Sequence, residues 1–379
     1  MAVIQGTFNS FVDTANNAID IANTLDMLDT TDVPLLSRVG RDSLRKQCIA
    51  LKHEWLQGAM RGLDVSLAAS AAGFNNTTDP VNVTLATGEA KKVAVNDILL
   101  ADTELVRITA VNLTTDVISV ARAFGGSTAA SHADGSTVSI VGQAWLTDAD
   151  PGTGRYTTVT NVYNYVQAYN SSIKVTSTEQ SIEKYVRQNT MDAQLRDEMK
   201  VMWQTWERAL LHGRKVQPTA TVAGAMDGIL VNIGNSYAKA GAALTEQFLI
   251  DAQKDIYDAG GPQSLTGFVG STQRQFVSRL LDPYRQTSRT DTTAGTRVTT
   301  FESDFGSIDF VLDRNIPKDT IVLVDLSRIG FGPFRDHAMK MVPIATTSGF
   351  YKQAQVFGQY TSELHDPQAH AKITGLATA

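Results

Sequence analysis

Several groups of residues have types and spacings that could support chemistry. Ser181 and Lys184 match the S-x-x-K spacing of penicillin-binding enzymes, in which the serine is the nucleophile. The sequence has no companion S-D-N or K-T-G motif, so we interpret the pair as a chance match on a helix. The glycine-rich stretch AFGGSTAASHADG, residues 123–135, has no Gly-Lys-Ser/Thr ending and does not lead from a strand into a helix. A hairpin turn is therefore a better interpretation than a phosphate-binding loop.

Metal and thiol chemistry have equally weak candidates. His365, Asp366 and His370 lie close together, but no third histidine is placed to complete a site, and we expect surface or interface histidines. Cys48 is the only cysteine, so it is expected to be a buried thiol rather than a nucleophile. Asn82 and Asn112 begin glycosylation sequons, which we interpret as strand and turn residues. The sequence therefore predicts no catalytic residue, no metal site and no cofactor.

The charge and the apolar content exclude further classes. The chain of 379 residues has 33 basic and 39 acidic residues, a formal charge of −6, so no global positive field attracts nucleic acid or anionic lipid. A single cysteine excludes an internal disulfide and fits synthesis in a reducing, intracellular place. The first residues lack the basic and apolar regions of a signal peptide, and no apolar run approaches the roughly 20 residues of a membrane span. We expect a soluble protein that has no membrane partner.

Two strand signals flank a segment of different character. Residues 47–56 alternate at period two, and residues 158–169, TVTNVYNYVQAY, are predicted to form a second strand with several aromatic rings on one face. Between them, residues 76–142 are rich in Thr, Val and Ala and contain short strand candidates separated by turns. The pattern predicts a small all-β module inserted at the tip of a hairpin, because loop tips tolerate inserted domains.

One long amphipathic helix follows. Thr190 is predicted to be its N-cap and Gly213 to end it, which gives a rod of roughly 33 Å at about 1.5 Å per residue. Its apolar residues recur at spacings of three and four. They are Met191, Leu195, Met199, Met202, Trp203, Trp206 and Leu210.

From residue 219 the chain alternates between helix and strand. A capped helix is predicted to begin after Thr245, followed by a buried strand and another helix. Residues 286–306 have little periodicity and are predicted to form a mobile loop. Two apolar strands are expected around the Asn315–Pro317 turn, and one or two long strands in residues 354–376.

This order of segments resembles that of a tailed-phage major capsid protein of the Hong Kong 97 fold, over about residues 45–379. The stretches that are similar to one family of such head proteins are STEQSIEKYV, WERALLHGR, LTEQFLIDAQKDIYDAGGPQ, SDFGSIDFVLDRNIPKD and QYTSELHDPQAHAKITGL. The module's ELVRITAVNLTTDVISVARAFGGSTAASHADG resembles domains inserted in phage structural proteins. The resemblance implies an α+β fold with a peripheral domain, an axial domain and an extended loop, plus the inserted β domain.

The resemblance also implies a role for each segment. Residues 1–45 would be an N-terminal arm, 46–75 and 143–172 the extended loop that reaches over a neighbouring subunit, 76–142 the inserted β domain, 173–222 and 342–379 the peripheral domain, and 223–341 the axial domain. The long helix would be the spine of the peripheral domain through Leu195, Met199, Met202, Trp203, Trp206 and Leu210. The extended loop would contact the neighbour through Trp55, Tyr163, Tyr165 and Tyr169. Some members of the fold link a loop lysine to an asparagine beside a glutamate, but we assign no such role to Lys52 and Glu54.

By the same resemblance, the chain would assemble as hexamers and pentamers into an icosahedral head, with a portal at one vertex and scaffolding or decoration proteins as further partners. The head would enclose double-stranded DNA without sequence-specific binding, in a virion whose subunits are made in the bacterial cytoplasm. One alternative is an encapsulin-like cellular compartment, which the β insertion and the N-terminal arm disfavour. The other is an enzyme whose active site is assembled from scattered residues.

Overall fold

The chain separates into two units in the computed structural model, which describes residues 32–58, 62–69, 81–145, 159–184, 189–280, 300–345 and 349–378. The larger unit comprises residues 1–55 and 162–379, and the smaller comprises residues 56–161. The α-helices of the described residues are α1 (Pro34–Val39), α2 (Ser177–Ser181), α3 (Thr190–His212), α4 (Ile229–Asn232), α5 (Glu246–Asp258) and α6 (Ser271–Leu280). None of these helices is long and apolar enough to span a membrane.

The strands are numbered in chain order. They are β1 (Lys52–Gly58), β2 (Asp64–Ser66), β3 (Val81–Thr84), β4 (Asp97–Ala101), β5 (Glu104–Asn112), β6 (Val117–Ala121), β7 (Thr137–Gln143), β8 (Val159–Tyr165) and β9 (Gln167–Thr176). The remainder are β10 (Asn235–Ala242), β11 (Ser264–Val269), β12 (Thr300–Ser303), β13 (Gly306–Leu312), β14 (Ile321–Val324), β15 (Ile329–Pro333), β16 (Lys340–Ile344), β17 (Tyr351–Leu364) and β18 (Ala371–Leu376). Helix and strand are therefore mixed in the larger unit, and strands dominate the smaller one.

The long helix α3 confirms the prediction of an uninterrupted rod. It has 23 residues, which corresponds to about 35 Å at 1.5 Å per residue. Its N-cap is Asn189, not Thr190, because the Asn189 side chain accepts a hydrogen bond from the backbone N–H of Asp192. At the other end, the N–H of Gly213 donates to the carbonyl of Ala209, and the helix stops there.

The strand β17 is the centre of a four-stranded antiparallel sheet in the larger unit. It pairs with β9 along one edge and with β16 and β15 along the other. The helix α3 packs on β9 and β17. Because β15 pairs with residues Tyr360–Leu364, this strand belongs to the sheet under α3, although the sequence analysis grouped residue 329 with the axial segment.

The second sheet of the larger unit has six strands in the order β10-β18-β14-β11-β13-β12. The pairs β10–β18 and β11–β13 are parallel, and the other pairs are antiparallel. The last strand of the chain, β18, lies inside this sheet, so the C-terminal segment is shared between two sheets. Of the predicted mobile loop 286–306, residues 286–299 lie outside the described part, and residues 300–303 form β12.

Each sheet of the larger unit has its own apolar core. The first core joins α1, α3 and the four-stranded sheet through residues such as Leu35, Leu36 and Trp206. The second joins α5, α6 and the six-stranded sheet through residues such as Leu249 and Val277. Helix α5 begins after Thr245 as predicted, and its apolar positions recur at helical spacing.

The smaller unit contains an antiparallel sheet in the order β2-β7-β4-β5-β6-β3, with an apolar core of its own. Its first strand, β2, pairs with β7 and lies before residue 76, where the sequence analysis began the module. Loop 123–135 connects β6 with β7, and two strands lie between these in the sheet. The prediction of a hairpin turn at this loop is therefore wrong, because the chain crosses over to a distant strand.

The strands β1 and β8 pair as a two-stranded ribbon, where the chain passes from one unit to the other and returns. The strand predicted over residues 158–169 is interrupted at Val166, so β8 and β9 are separate strands. The interruption follows the buried Asn164, whose Nδ2 donates to the carbonyl of Ser362 at 2.9 Å and whose Oδ1 accepts from Asp227 N–H at 2.8 Å. These side-chain bonds bind the turn to β17.

Candidate functional site

An aromatic cluster joins the long helix to its sheet. The Trp206 side chain is 1% exposed, and its ring centroid lies 5.1 Å from that of Tyr360 on β17 and 6.2 Å from that of Phe331 on β15. Phe331 and Tyr360 stack with centroids 4.9 Å apart. Burying large rings at such distances is strongly favourable, with about 0.5–1.5 kcal/mol per pair beyond the area term. Trp206 therefore fixes the helix to two strands, β15 and β17.

The apolar stripe predicted from the sequence faces this core. Leu195, Met202, Trp206 and Leu210 are buried, while Met199 and Trp203 are half-buried and pack against the same cluster. The guanidinium of Arg41, just after α1, lies 4.1 Å above the Trp203 ring, a cation–π distance. The stripe thus contacts both the sheet and the segment that follows α1.

A buried acidic residue in the same helix was missed by the sequence analysis. Glu207 is 0% exposed, and its Oε2 accepts a hydrogen bond from the backbone N–H of Leu36 at 3.2 Å. Asn315 Nδ2 donates to Glu207 Oε1 at 3.0 Å. Burial, with the buried carboxyl of Asp313 second, raises the pKa of Glu207 to about 8. The sequence did contain a sign of this burial. Glu207 lies four residues from both Trp203 and Leu211, so it shares the apolar face of the helix with them.

The four aromatic residues predicted to contact a neighbour have different environments. Tyr165 is buried, whereas Tyr169 is half-buried and packs with its ring centroid 6.2 Å from that of Trp206. Trp55 and Tyr163 are half-buried, and Tyr163 lies between the ammonium groups of Lys52 and Lys215, at 4.3 and 4.8 Å from its centroid. The rings of Trp55 and Tyr163 thus remain partly accessible.

A second buried charge cluster fastens the start of β1 to the end of β17. Glu363 contacts the Nε2 atoms of His53 and His365, the latter at 2.9 Å. Burial opposes the charge of His53, but hydrogen bonds to Cys48 and Glu363 outweigh it and raise the His53 pKa to about 9. Burial likewise opposes the charge of Glu363, but bonds from His365 and His53 lower its pKa to about 2. The pair is charged at neutral pH.

The histidines considered as metal ligands have protein partners. His365 and His370 are buried, so the expectation of surface histidines is wrong. His370 Nδ1 accepts from Asp325 N–H and its Nε2 donates to the carbonyl of His365, and Asp366 forms an ion pair with Arg328. Across the described residues, no group of three or more His, Cys, Asp or Glu side chains is arranged to hold a metal ion.

The other candidates for chemistry are engaged in local structure. Ser181 Oγ donates to the Ser177 carbonyl at 2.9 Å, whereas Lys184 Nζ contacts Glu179 and Thr190. Cys48 is buried as predicted, and its thiol donates to the carbonyl of Ala50 at 3.2 Å. Lys52 and Glu54 form an ion pair with each other on β1.

Loop 123–135 of the smaller unit is held by an ion network. Arg122 binds both carboxylate oxygens of the buried Glu104 at 2.6 Å, and His132 lies 3.0 Å from the same carboxylate and 2.7 Å from Asp102. Burial alone would raise the Glu104 pKa, but the Arg122 bond leads several that lower it to about 2. Together these bonds stabilise the loop, so the network has a structural role.

The two sequon asparagines lie in the module as a strand and a turn residue, as predicted. Asn82, in β3, accepts from the Ser119 hydroxyl at 2.6 Å, and Asn112, at the end of β5, accepts from the N–H of Thr114 at 3.0 Å.

Comparison with solved structures places the fold among phage shell proteins. The chain is similar to a structure from Microbacterium phage Oxtober96, with 11% identity, a TM-score of 0.53, and 97% of this chain and 98% of that chain covered. It is also similar to the capsid asymmetric unit of cyanophage A-1(L), with 9% identity, a TM-score of 0.55, and 97% and 99% covered. The capsid of a native GTA particle matches at 8% identity and a TM-score of 0.51, with 98% and 100% covered. At these identities the likeness is one of fold.

The family of the protein follows from its sequence. No curated protein matches the chain in sequence. Residues 4–377, nearly the whole chain, match the family model of the SU10 major capsid protein. The fold described above is the mixed α and β fold of Hong Kong 97-like capsid proteins, as the sequence predicted. The chain therefore belongs to the SU10 major capsid protein family, whose members form the shell of a tailed-phage head.

Proposed function

We propose that copies of this subunit assemble as hexamers and pentamers into an icosahedral head that encloses the double-stranded DNA genome of a tailed phage. In this proposal the head carries a portal at one vertex, with scaffolding or decoration proteins as further partners, and its subunits are made in the bacterial cytoplasm. The family assignment over residues 4–377 supports the shell.

The single observation that carries self-assembly is the exposure of the ribbon formed by β1 and β8. A two-stranded sheet is at best marginally stable in water, and apolar side chains left on it favour association. Leu56 on β1 is 71% exposed and Val159 on β8 is 63% exposed. A neighbouring subunit that covers the ribbon would remove both side chains from water.

Each part of the fold has a role in this proposal. The helix α3 with its four-stranded sheet is the peripheral domain, the six-stranded sheet with α5 and α6 is the axial domain, and the ribbon is the extended loop. Trp55 and Tyr163 supply partly accessible rings to the neighbour, because aromatic residues are enriched at protein interfaces. Trp206 and its stripe hold the peripheral domain along its length.

The charge of the subunit fits a container for DNA rather than a DNA-binding protein. The formal charge of −6 is repeated in every copy around the genome. A strongly basic inner wall would bind phosphates through counterion release and would oppose both packaging and ejection. A neutral to acidic lumenal face avoids that cost.

The substitution Leu56→Asp tests the role of the ribbon. It should prevent or strongly weaken assembly, since it places a charge where a neighbour must bind, and should leave the melting temperature of the free subunit unchanged. The matched control is Leu113→Asp, which changes an exposed leucine at the β5–β6 turn, outside the ribbon. Sedimentation velocity should detect assemblies of the control and only small species of Leu56→Asp. Equal assembly of the two variants would contradict the role of the ribbon.

A further inference from the structure

The buried carboxyls of Glu207 and Asp313 are in contact beneath the short helix α1. Both side chains are 0% exposed. Glu207 receives hydrogen bonds from the backbone N–H groups of Leu35 and Leu36, at the first turn of α1, and from Asn315 Nδ2. Val33, the N-cap of α1, provides no side-chain cap. Glu207 therefore caps α1 from a distant part of the chain.

The hydrogen bonds around the pair leave one carboxylate oxygen without a donor. Asp313 Oδ1 accepts from Asn315 N–H at 2.7 Å, but the buried Oδ2 has no donor among the described residues. All the partners that contact Glu207, apart from Asp313, are donors. One proton shared between the two carboxyls lets them hydrogen-bond to each other, whereas two unprotonated carboxylates would leave like charges in contact in a buried site.

The neighbouring charges do not neutralise the pair. Arg208 Nε and His212 Nε2, both on α3, donate to the side chain and the carbonyl of Asn315, each at 3.1 Å. Arg314 is paired with Asp32 at 3.5 Å, and Asp32 itself adds a negative charge near Asp313. On α1, the groups that face Glu207 are backbone N–H groups. Among the described residues, no cation forms an ion pair with either carboxyl.

We propose that Glu207 and Asp313 share one proton that acts as a latch: while it is bound, α1 stays closed over the core, and when it is lost at alkaline pH, α1 opens. The proposal concerns the folded subunit alone and does not depend on its assembly into a shell.

Of the two helices that meet at Glu207, α1 opens at a lower cost than α3. It has six residues and buries only Leu35, Leu36 and Val39, whereas α3 has 23 residues and a full apolar stripe. Local opening follows the element with the fewest buried contacts. Once α1 lifts, water reaches both carboxylates and removes the cost of two buried charges.

The direction of the pH effect follows from the titration of the pair as one unit. The pKa of Glu207 is raised in the fold from 4.5 to about 8, first by burial and then by Asp313, and burial also raises the pKa of Asp313. Between pH 4.5 and about 8, the closed state therefore binds more protons than the open state. Closure is therefore most favourable at low pH and weakens as pH rises from 4.5 to about 8, and above that the contribution of the proton is lost.

Hydrogen–deuterium exchange on the purified full chain tests the latch at about pH 6 and about pH 9, on either side of the pair's titration. The amides of Leu36 to Gly40 are compared with those of the buried strand β11, after correction for intrinsic exchange. We expect the protection of α1 to fall by roughly a hundredfold at the higher pH, because each pH unit between 6 and about 8 weakens closure about tenfold. The protection of β11 should be retained.

The variant Asp313→Asn provides the decisive comparison. Its carboxamide can donate to Glu207 and accept from Asn315 N–H at every pH, so α1 should stay protected at both pH values. Equal loss of protection in Asp313→Asn and the unchanged chain would overturn the proposal, since a proton shared with Asp313 would then not control α1. Constant protection of α1 in the unchanged chain would overturn it as well, whether or not the variant folds.

Discussion

The ring centroid of Trp206 on the long helix lies 5.1 Å from that of Tyr360 on the central strand of the four-stranded sheet. These residues are 154 positions apart in sequence, so their contact closes the first core across more than a third of the chain. Phe331 stacks on Tyr360 and contacts Trp206, which makes the three rings one packed group. The group holds the long helix to the four-stranded sheet.

Removal of the central ring should therefore destabilise the subunit strongly. We expect Trp206→Ala to lower the free energy of unfolding by about 3–5 kcal/mol, because it leaves a cavity beneath Tyr360 and Phe331. Denaturant unfolding followed by circular dichroism measures the change. Val201→Ala, at an exposed position of the same helix, should change stability by less than about 0.5 kcal/mol. Equal stability of the two variants would show that the ring is not part of the core.

The larger unit should fold without the sheet of the smaller unit. Its sheet has an apolar core of its own, and β2 and β7, at its two ends in sequence, pair with each other. We expect replacement of residues 62–145 by a short Gly-Ser linker to leave the larger unit folded, with the helical circular dichroism signal of α3 and α5 retained. Loss of that signal and of cooperative unfolding would mean that the sheet is needed for the main core.

The buried pair of His53 and Glu363 should stabilise the fold over a defined pH range. Glu363 has its pKa lowered from 4.5 to about 2, so its contribution is present above pH 4.5 and is lost as pH falls towards 2. His53 has its pKa raised from 6.5 to about 9, so its contribution is present below pH 6.5 and is lost as pH rises towards 9. Stabilisation is therefore complete between about pH 4.5 and 6.5.

The variant Glu363→Gln measures this contribution. In that pH range we expect it to cost about 3–5 kcal/mol, because it leaves the charge of His53 buried without a partner, and the cost should shrink towards pH 9. The control is Glu302→Gln, which changes an exposed glutamate on β12. Urea titrations over a series of pH values give the free energies. A cost that is the same at every pH would argue against a charged pair.

Free subunits should bind DNA poorly. With a formal charge of −6, we expect dissociation constants weaker than about 10⁻⁴ M for duplex DNA at physiological salt. Moderate salt should leave assembly unharmed or favour it, since it screens repulsion between like-charged subunits. Fluorescence anisotropy with labelled duplex, together with light scattering across a salt series, measures both effects. Tight binding that weakens steeply with salt would contradict a neutral to acidic inner wall.

Local periodicity was sufficient to predict the long helix, the capped helix after Thr245 and the C-terminal strands. In α3, spacings of three and four placed Trp206 and Leu210 on the buried face, because a helical face is a property of neighbouring residues. The break at Val166 was not visible in this way. It depends on Asn164, whose partners Ser362 and Asp227 are far away in sequence.

Long-range partners also explain the other misses. Nothing near Glu207 in sequence indicates that it caps α1 or contacts Asp313, since both relations form only when distant segments pack. The placement of β15 in the sheet under α3, and of β18 inside the six-stranded sheet, likewise depends on pairing between strands far apart in sequence. A charged residue within an apolar helical stripe nonetheless indicates that a distant polar partner is present.

Electron microscopy of the purified full chain is the most direct test of the central claim that this subunit builds a head by self-assembly. We expect closed icosahedral shells with pentamers and hexamers, in which α3 lies within the wall and the ribbon of β1 and β8 covers a neighbouring subunit. A protein that stays monomeric at every concentration and salt tested, or that forms a shell in which the ribbon contacts no neighbour, would contradict it.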